Sequence, residues 1–228
     1  MKTDKQTLQI AFSKSLTILF SYLFVAMAYG MMMEQAGFAW YDSLLVSFTV
    51  YTGALQFVLI TFLSSGASLL TVTLTALLMN SRQTFYSLTF LLEFNELPLP
   101  RRLYMIHTMT DETYAVNCSL PLNKPNRKDV MLLVALLSRC YWLIGSVLGG
   151  ILGQLIPFDL MGIDFCMTAL FVIICIDQWE NATVHTPALI GFGVGLGALL
   201  VFGKNSFMLP ALLVTSGLLL LMNKGGAK

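Results

Sequence analysis

Charge is what this chain has least of. Charged residues make up 11% of its 228 positions and hydrophobic residues 57%, whereas an ordinary soluble domain carries about a quarter of its residues as charges. A formal net charge of +1 leaves no electrostatic footprint for nucleic acid. There are two histidines, His107 and His185, far apart in sequence, and four cysteines, Cys118, Cys140, Cys166 and Cys175, without a CxxC pair. That supply excludes the usual metal and redox spacings, and the cysteines read as small apolar packers. HExxH, GxSxG and Walker patterns are absent, as are the aspartate pairs of intramembrane proteases. The expectation is therefore no enzyme, no cofactor and no direct use of ATP.

What is present is length of apolar run. A spanning helix needs about 20 mostly apolar residues, and the chain reads as an all-α polytopic membrane protein, a single transmembrane domain over residues 1–228. Seven clear transmembrane helices are expected: Ser15 to Met33, Asp42 to Leu63, Ala67 to Leu92, Val130 to Gly153, Ile163 to Ile176, Pro187 to Phe202 and Phe207 to Met222. The first resembles a signal peptide up to Ala26-Met27-Ala28, but its apolar run continues to Met33 and suits a retained span. The third is long enough to tilt, protrude or break near Asn80-Ser81-Arg82. Thr52 to Val58 and Thr168 to Val172 share a short pattern compatible with an inverted repeat.

Basic residues set orientation in membrane proteins, and here they conflict. Lys2, Lys5 and Lys14 put the N-terminus in the cytoplasm, yet three spans then leave Arg101, Arg102, Lys124, Arg127 and Lys128 outside. An eighth crossing or re-entrant element at Leu103 to Leu120 restores parity for the last three and leaves Arg101 and Arg102 on the wrong side. The alternative places this segment on the surface, with a neighbouring segment re-entrant. As one helix, it would align His107, Asp111, Tyr114 and Cys118 on a single face, with Glu112 turned away.

Several residues can carry chemistry in this background. Between Asp42 and Glu93 the only charge is Arg82. A cation at membrane depth costs about 2.5–3.5 kcal/mol on insertion scales and marks substrate or ion pathways; its planar fork suits a carboxylate. The bland alternative is an ion pair with Asp111 or Glu112. Those two carboxylates suit a substrate ammonium group or a coupled proton, with His107 as a relay; on a solvated helix they would do neither. Thr52, Gly53 and Gln56 form a polar break able to offer backbone groups and an amide to a zwitterion, or else to serve helix packing. Arg139 would be a second intramembrane cation, paired with a carboxylate such as Asp177. Gly145, Gly149 and Gly153, and the alternating Gly191, Gly193, Gly195 and Gly197, read as packing surfaces, within the chain or against a partner.

At Tyr51-Thr-Gly-Ala-Leu-Gln-Phe57, Asn80-Ser-Arg-Gln-Thr-Phe-Tyr86 and Thr110-Asp-Glu-Thr-Tyr-Ala115 the chain resembles the AzlC family of branched-chain amino acid permeases, in order and spacing, over nearly its whole length. Gln83 departs from the histidine expected after the arginine. The resemblance implies export of branched-chain or similar neutral apolar amino acids across the cell (inner) membrane, with a small AzlD-type membrane subunit as partner. It also adds Tyr86, which closes the second motif, to the candidate substrate-binding residues. An uptake permease, a non-transporting regulatory subunit and an intramembrane enzyme are the competing readings.

Overall fold

The computed structural model describes residues 5–121, 126–155, 182–203 and 207–225, with 172, 175–176 and 179–180 between them. The expected span Ile163 to Ile176, Asp177, Cys166 and the Thr168 to Val172 pattern lie largely or wholly outside that set. Among the described residues the secondary structure is helical throughout: α1 (Lys5–Gln35), α2 (Trp40–Thr49), α3 (Gly53–Ser65), α4 (Leu69–Thr89), α5 (Leu91–Asn95), α6 (Leu99–His107), α7 (Asp111–Ser119), α8 (Arg127–Leu155), α9 (Thr186–Phe202) and α10 (Met208–Gly225). Of these, α1 and α8 are long and apolar enough to cross a membrane, and Gly53–Ser65, Leu69–Asn80 and Thr186–Phe202 are shorter apolar helices. The chain forms two compact units, residues 1–64 with 82–167, and 65–81 with 168–228.

The first unit is built on the pairing of α1 with α8. Small residues let the two backbones touch: a Cβ on Gly149 would stand 2.1 Å from the Met27 carbonyl oxygen, and one on Gly30 would stand 2.2 Å from that of Ser146. Gly145 meets Ala26 and Leu23 in the same way, so this glycine face packs within the chain. Asn126 Nδ2 donates to Thr7 Oγ1 at 3.1 Å at one end, and Gly153 faces Glu34 at the other; the helices therefore run parallel.

Their faces are sorted as lipid would sort them. The outward stripe of α1 is Leu8, Phe12, Leu16, Phe20 and Phe24, with Phe24 68% exposed, while Thr7, Ser15, Tyr22 and Tyr29 lie inside. A soluble helix does the reverse; in a bilayer apolar residues face outward and hydroxyls bond between helices. Ser15 Oγ meets Tyr141 Oη at 3.1 Å across the pair.

Two short helical hairpins enter this frame from opposite ends. Trp40 lies against Gly150 and Phe48 reaches Arg139, so α2 runs antiparallel to α8. The chain then folds back at 50–52, because Gln56 on α3 meets Ser47 and Phe57 meets the Tyr29 ring at 5.7 Å. With 10 and 13 residues, α2 and α3 extend about 15 and 20 Å at 1.5 Å per residue, short of the ~30 Å core. The single span expected from Asp42 to Leu63 is thus two short helices, folded back on each other at the polar break that the sequence displays.

The segment expected as one helix from Leu103 to Leu120 is also two. Thr108 Oγ1 folds onto the Tyr104 carbonyl at 2.7 Å, and Thr110 caps α7, exchanging hydrogen bonds with Thr113 (Thr110 N to Thr113 Oγ1 2.8 Å; Thr113 N to Thr110 Oγ1 3.4 Å). Side chains that bond their own backbone end helices, and His107 and Asp111 consequently do not share a face. Both feet of this pair stand at the start of α8: Arg101 pairs with Asp129 at 3.8 Å, Lys128 with Glu96, and buried Arg127 holds Glu93 through Nε at 2.9 Å and the Leu120 carbonyl through Nη1. Arg101, Arg102, Arg127, Lys128 and the N-terminal end of α1 are therefore at one end of the unit. The orientation conflict came from counting Asp42 to Leu63 as one crossing, whereas it is two short helices. The break expected near Asn80-Ser81-Arg82 is absent as well: α4 is continuous to Thr89.

In the second unit α9 packs on α10, with Gly191 close to Thr215, while Gly193, Gly195 and Gly197 have open space about them among the described residues. Cys118, Cys140 and Cys175 are free and exposed, on outward faces and not in the core.

Candidate functional site

The tips of the two hairpins, 50–52 and 108–110, approach each other beside the middle of α1 and α8. Arg139 lies about 18 Å along α8 from Arg127 at 1.5 Å per residue. Below the first tip is a closed polar core. Gln56, fully buried, accepts from Trp142 Nε1 at 2.9 Å with Ser47 Oγ 3.5 Å from the same oxygen, and its Nε2 donates to the Val50 carbonyl exposed by the break. Ser47 Oγ meets Ser146 Oγ at 2.9 Å, and Ser146 Oγ donates to the Trp142 carbonyl at 2.8 Å. The Trp142 indole fits only because residue 53 is glycine, where a Cβ would come within 2.9 Å of the ring. Gln56 and Gly53 thus hold the tip's shape, and the Thr52 carbonyl accepts from Gln56 N at 3.0 Å to start α3.

The second tip presents acid. Asp111 and Glu112 occupy the first turn of α7, where the helix dipole favours negative charge. Tyr22 Oη donates to Glu112 Oε2 at 2.7 Å, so the Thr110 hydroxyl, also 2.7 Å away, donates to Tyr22. The Tyr22 ring stands edge-on to Trp142 at 5.2 Å and couples the two tips. Tyr86 stacks on Tyr114 of α7 at 4.6 Å. Arg82 is helical, and its side chain lies outside the described residues. His107 is exposed at the end of α6.

Between the tips lies Arg139. Its guanidinium carbon is 4.6 Å from the Phe48 ring centroid, 5.7 Å from that of Tyr51 and 5.6 Å from that of Tyr104, and Nη2 donates to the Phe48 carbonyl. Among the described residues it has no carboxylate partner; the expected Asp177 is outside them.

Sequence reading missed Tyr22, Trp142, Ser47 and Ser146 as parts of this centre. A signal was available: Ser15, Tyr22 and Tyr29 recur every seven residues in an apolar run, and Ser138, Trp142 and Ser146 every four. Each spacing keeps a polar group on one helix face.

Residues 17–156 match the family described as AzlC protein. The branched-chain amino acid transport protein AzlC of Bacillus subtilis is 34% identical over 94% of this chain and 84% of its own length. An uncharacterized membrane protein of Helicobacter pylori (strain J99) is 37% identical over 94% of both chains. Inner membrane protein YgaZ of Escherichia coli is 29% identical over 80% of this chain and 78% of its own. No solved structure matches significantly. A family match across more than half of the chain, and a relative this similar over nearly all of it, make the chain a member of the AzlC family.

Proposed function

We propose that this protein moves branched-chain or other neutral apolar amino acids out of the cell by alternating access, coupled to protons, together with a small AzlD-type membrane subunit. The observation that carries the reading is the convergence of two short helical hairpins on one polar centre. Non-helical backbone at membrane depth is tolerated where it lines a cavity, and interrupted helices form transporter binding sites. The family, and the printed name of the Bacillus subtilis relative, supply the substrate class.

In this reading Arg82 attracts the substrate's carboxylate, and Asp111 or Glu112 receives its ammonium group or the coupled proton, with His107 as relay. Thr52, Gly53 and Gln56 shape the tip that the substrate meets, and Tyr86 orders α7 through Tyr114. The basic end of α1 and α8 faces the cytoplasm of a cell (inner) membrane. The substrate leaves chemically unchanged, so no catalytic group is required.

The test is leucine efflux from proteoliposomes containing the full chain with its small subunit. Arg82→Gln is expected to lower efflux at least about tenfold, the effect of losing a charged hydrogen bond. Unchanged affinity and rate would remove Arg82 from the site.

A further inference from the structure

We propose that Arg139 and Tyr51 form the seat for the substrate's carboxylate, opposite Glu112, which takes the ammonium group. The inference rests on the transport reading and adds two residues to the site, leaving Arg82 to draw the carboxylate toward that seat.

Arg139 sits in an aromatic box of Phe48, Tyr51 and Tyr104. The rings fix the plane of the guanidinium without supplying a counter-charge. One edge nitrogen donates to the Phe48 carbonyl, whereas Nε is buried with no acceptor among the described residues. An unmatched buried donor on a full charge is costly, and a carboxylate is the planar partner that a guanidinium fork fits best.

The independent observation is Tyr51. It is 4% exposed, its hydroxyl has no hydrogen-bond partner among the described residues, and it lies within reach of the charges of both Glu112 and Arg139. A group at this point meets a cation on one side, an acid on the other and a hydroxyl between. That is the donor and acceptor order of an α-amino acid's charged end. The first-turn amides of α3 begin at the same tip, and the positive end of a helix favours an anion there. Glu112 is exposed, with Oε2 accepting from Tyr22, so its other oxygen can receive an ammonium proton. Trp142 and Gln56 are satisfied by each other and stay in the scaffold.

The experiment compares leucine with leucinamide, which keeps the ammonium group and side chain but lacks the carboxylate. Proteoliposomes carry the full chain with its small subunit, and each compound is tested as an inhibitor of labelled leucine counterflow. For the unchanged protein leucine should compete at least about tenfold better than the amide. Arg139→Gln should erase that preference by weakening leucine and sparing leucinamide; Arg139→Lys should restore part of it, and Tyr51→Phe should weaken leucine by a smaller factor. Equal weakening of both compounds in Arg139→Gln would mark a structural role and overturn the proposal, as would no weakening of either. If the unchanged protein catalyses no counterflow, the transport reading itself fails. Should only Arg82→Gln discriminate the two compounds, transport stands and the seat belongs to Arg82.

Discussion

Arg127 and Arg139 lie on one helix and show two ways in which a low-dielectric environment accommodates an arginine. Arg127, 7% exposed, has its charge met by Glu93 and its third nitrogen by a carbonyl; removing Glu93 would strand the charge, at a cost of about 3–5 kcal/mol. Arg139 has rings in place of an acid. The neutral partners beneath it are equally interdependent. Trp142→Phe deletes the N–H that Gln56 Oε1 accepts while keeping an aromatic ring, and should cost about 1–3 kcal/mol. Thermal unfolding in detergent measures this; an unchanged midpoint would mean that Gln56 does not depend on Trp142 for the shape of the tip.

At the scale of the element, helix length and backbone contact decide what each segment does. A half-depth hairpin must have its turn buried against other helices, because lipid satisfies no backbone group. The close approach of α1 and α8 supplies the wall, and Gly149 permits it. Gly149→Leu should prevent stable folding, since even a Cβ meets the Met27 backbone, and overpacking already costs about 1–3 kcal/mol where side chains can adjust. Gly193→Leu, in open space on α9, should leave the melting temperature within a degree or two of the unchanged protein, surface changes being worth about 0.5 kcal/mol or less. The comparison is made by size-exclusion profile and melting temperature; equal effects at the two positions would contradict the packing of α1 on α8.

For the whole molecule the ion pairs at the start of α8 gather its basic residues at one end of the first unit. Arg101 with Asp129 holds the α6 side of the α6–α7 hairpin, and Arg127 on the Leu120 carbonyl holds the α7 side, at one end of the first unit. Single cysteines placed at Lys5, Arg101 and Lys128, in a background freed of Cys118, Cys140, Cys166 and Cys175, should react with an impermeant maleimide only from the cytoplasmic face. Labelling of Arg101→Cys from the opposite face to Lys128→Cys would mean that Leu103 to Leu120 crosses the membrane after all.

The amino-acid sequence alone determined the solvent, the helical class and the places where polar groups interrupt apolar runs, because lipid demands apolar length and internally bonded backbone wherever a chain enters it. It also carried the three motifs that identify the family. It did not show whether an interrupted run crosses or turns back: a break at Tyr51-Thr52-Gly53 is compatible with a kinked span and with a hairpin, and the difference rests on contacts such as Gln56 with Ser47. Nor did it show which polar residues meet. Tyr22 and Glu112 are 90 positions apart and Gln56 and Trp142 are 86; only parallel packing of α1 on α8, with the hairpin tips brought to their middle, places those groups within hydrogen-bonding distance.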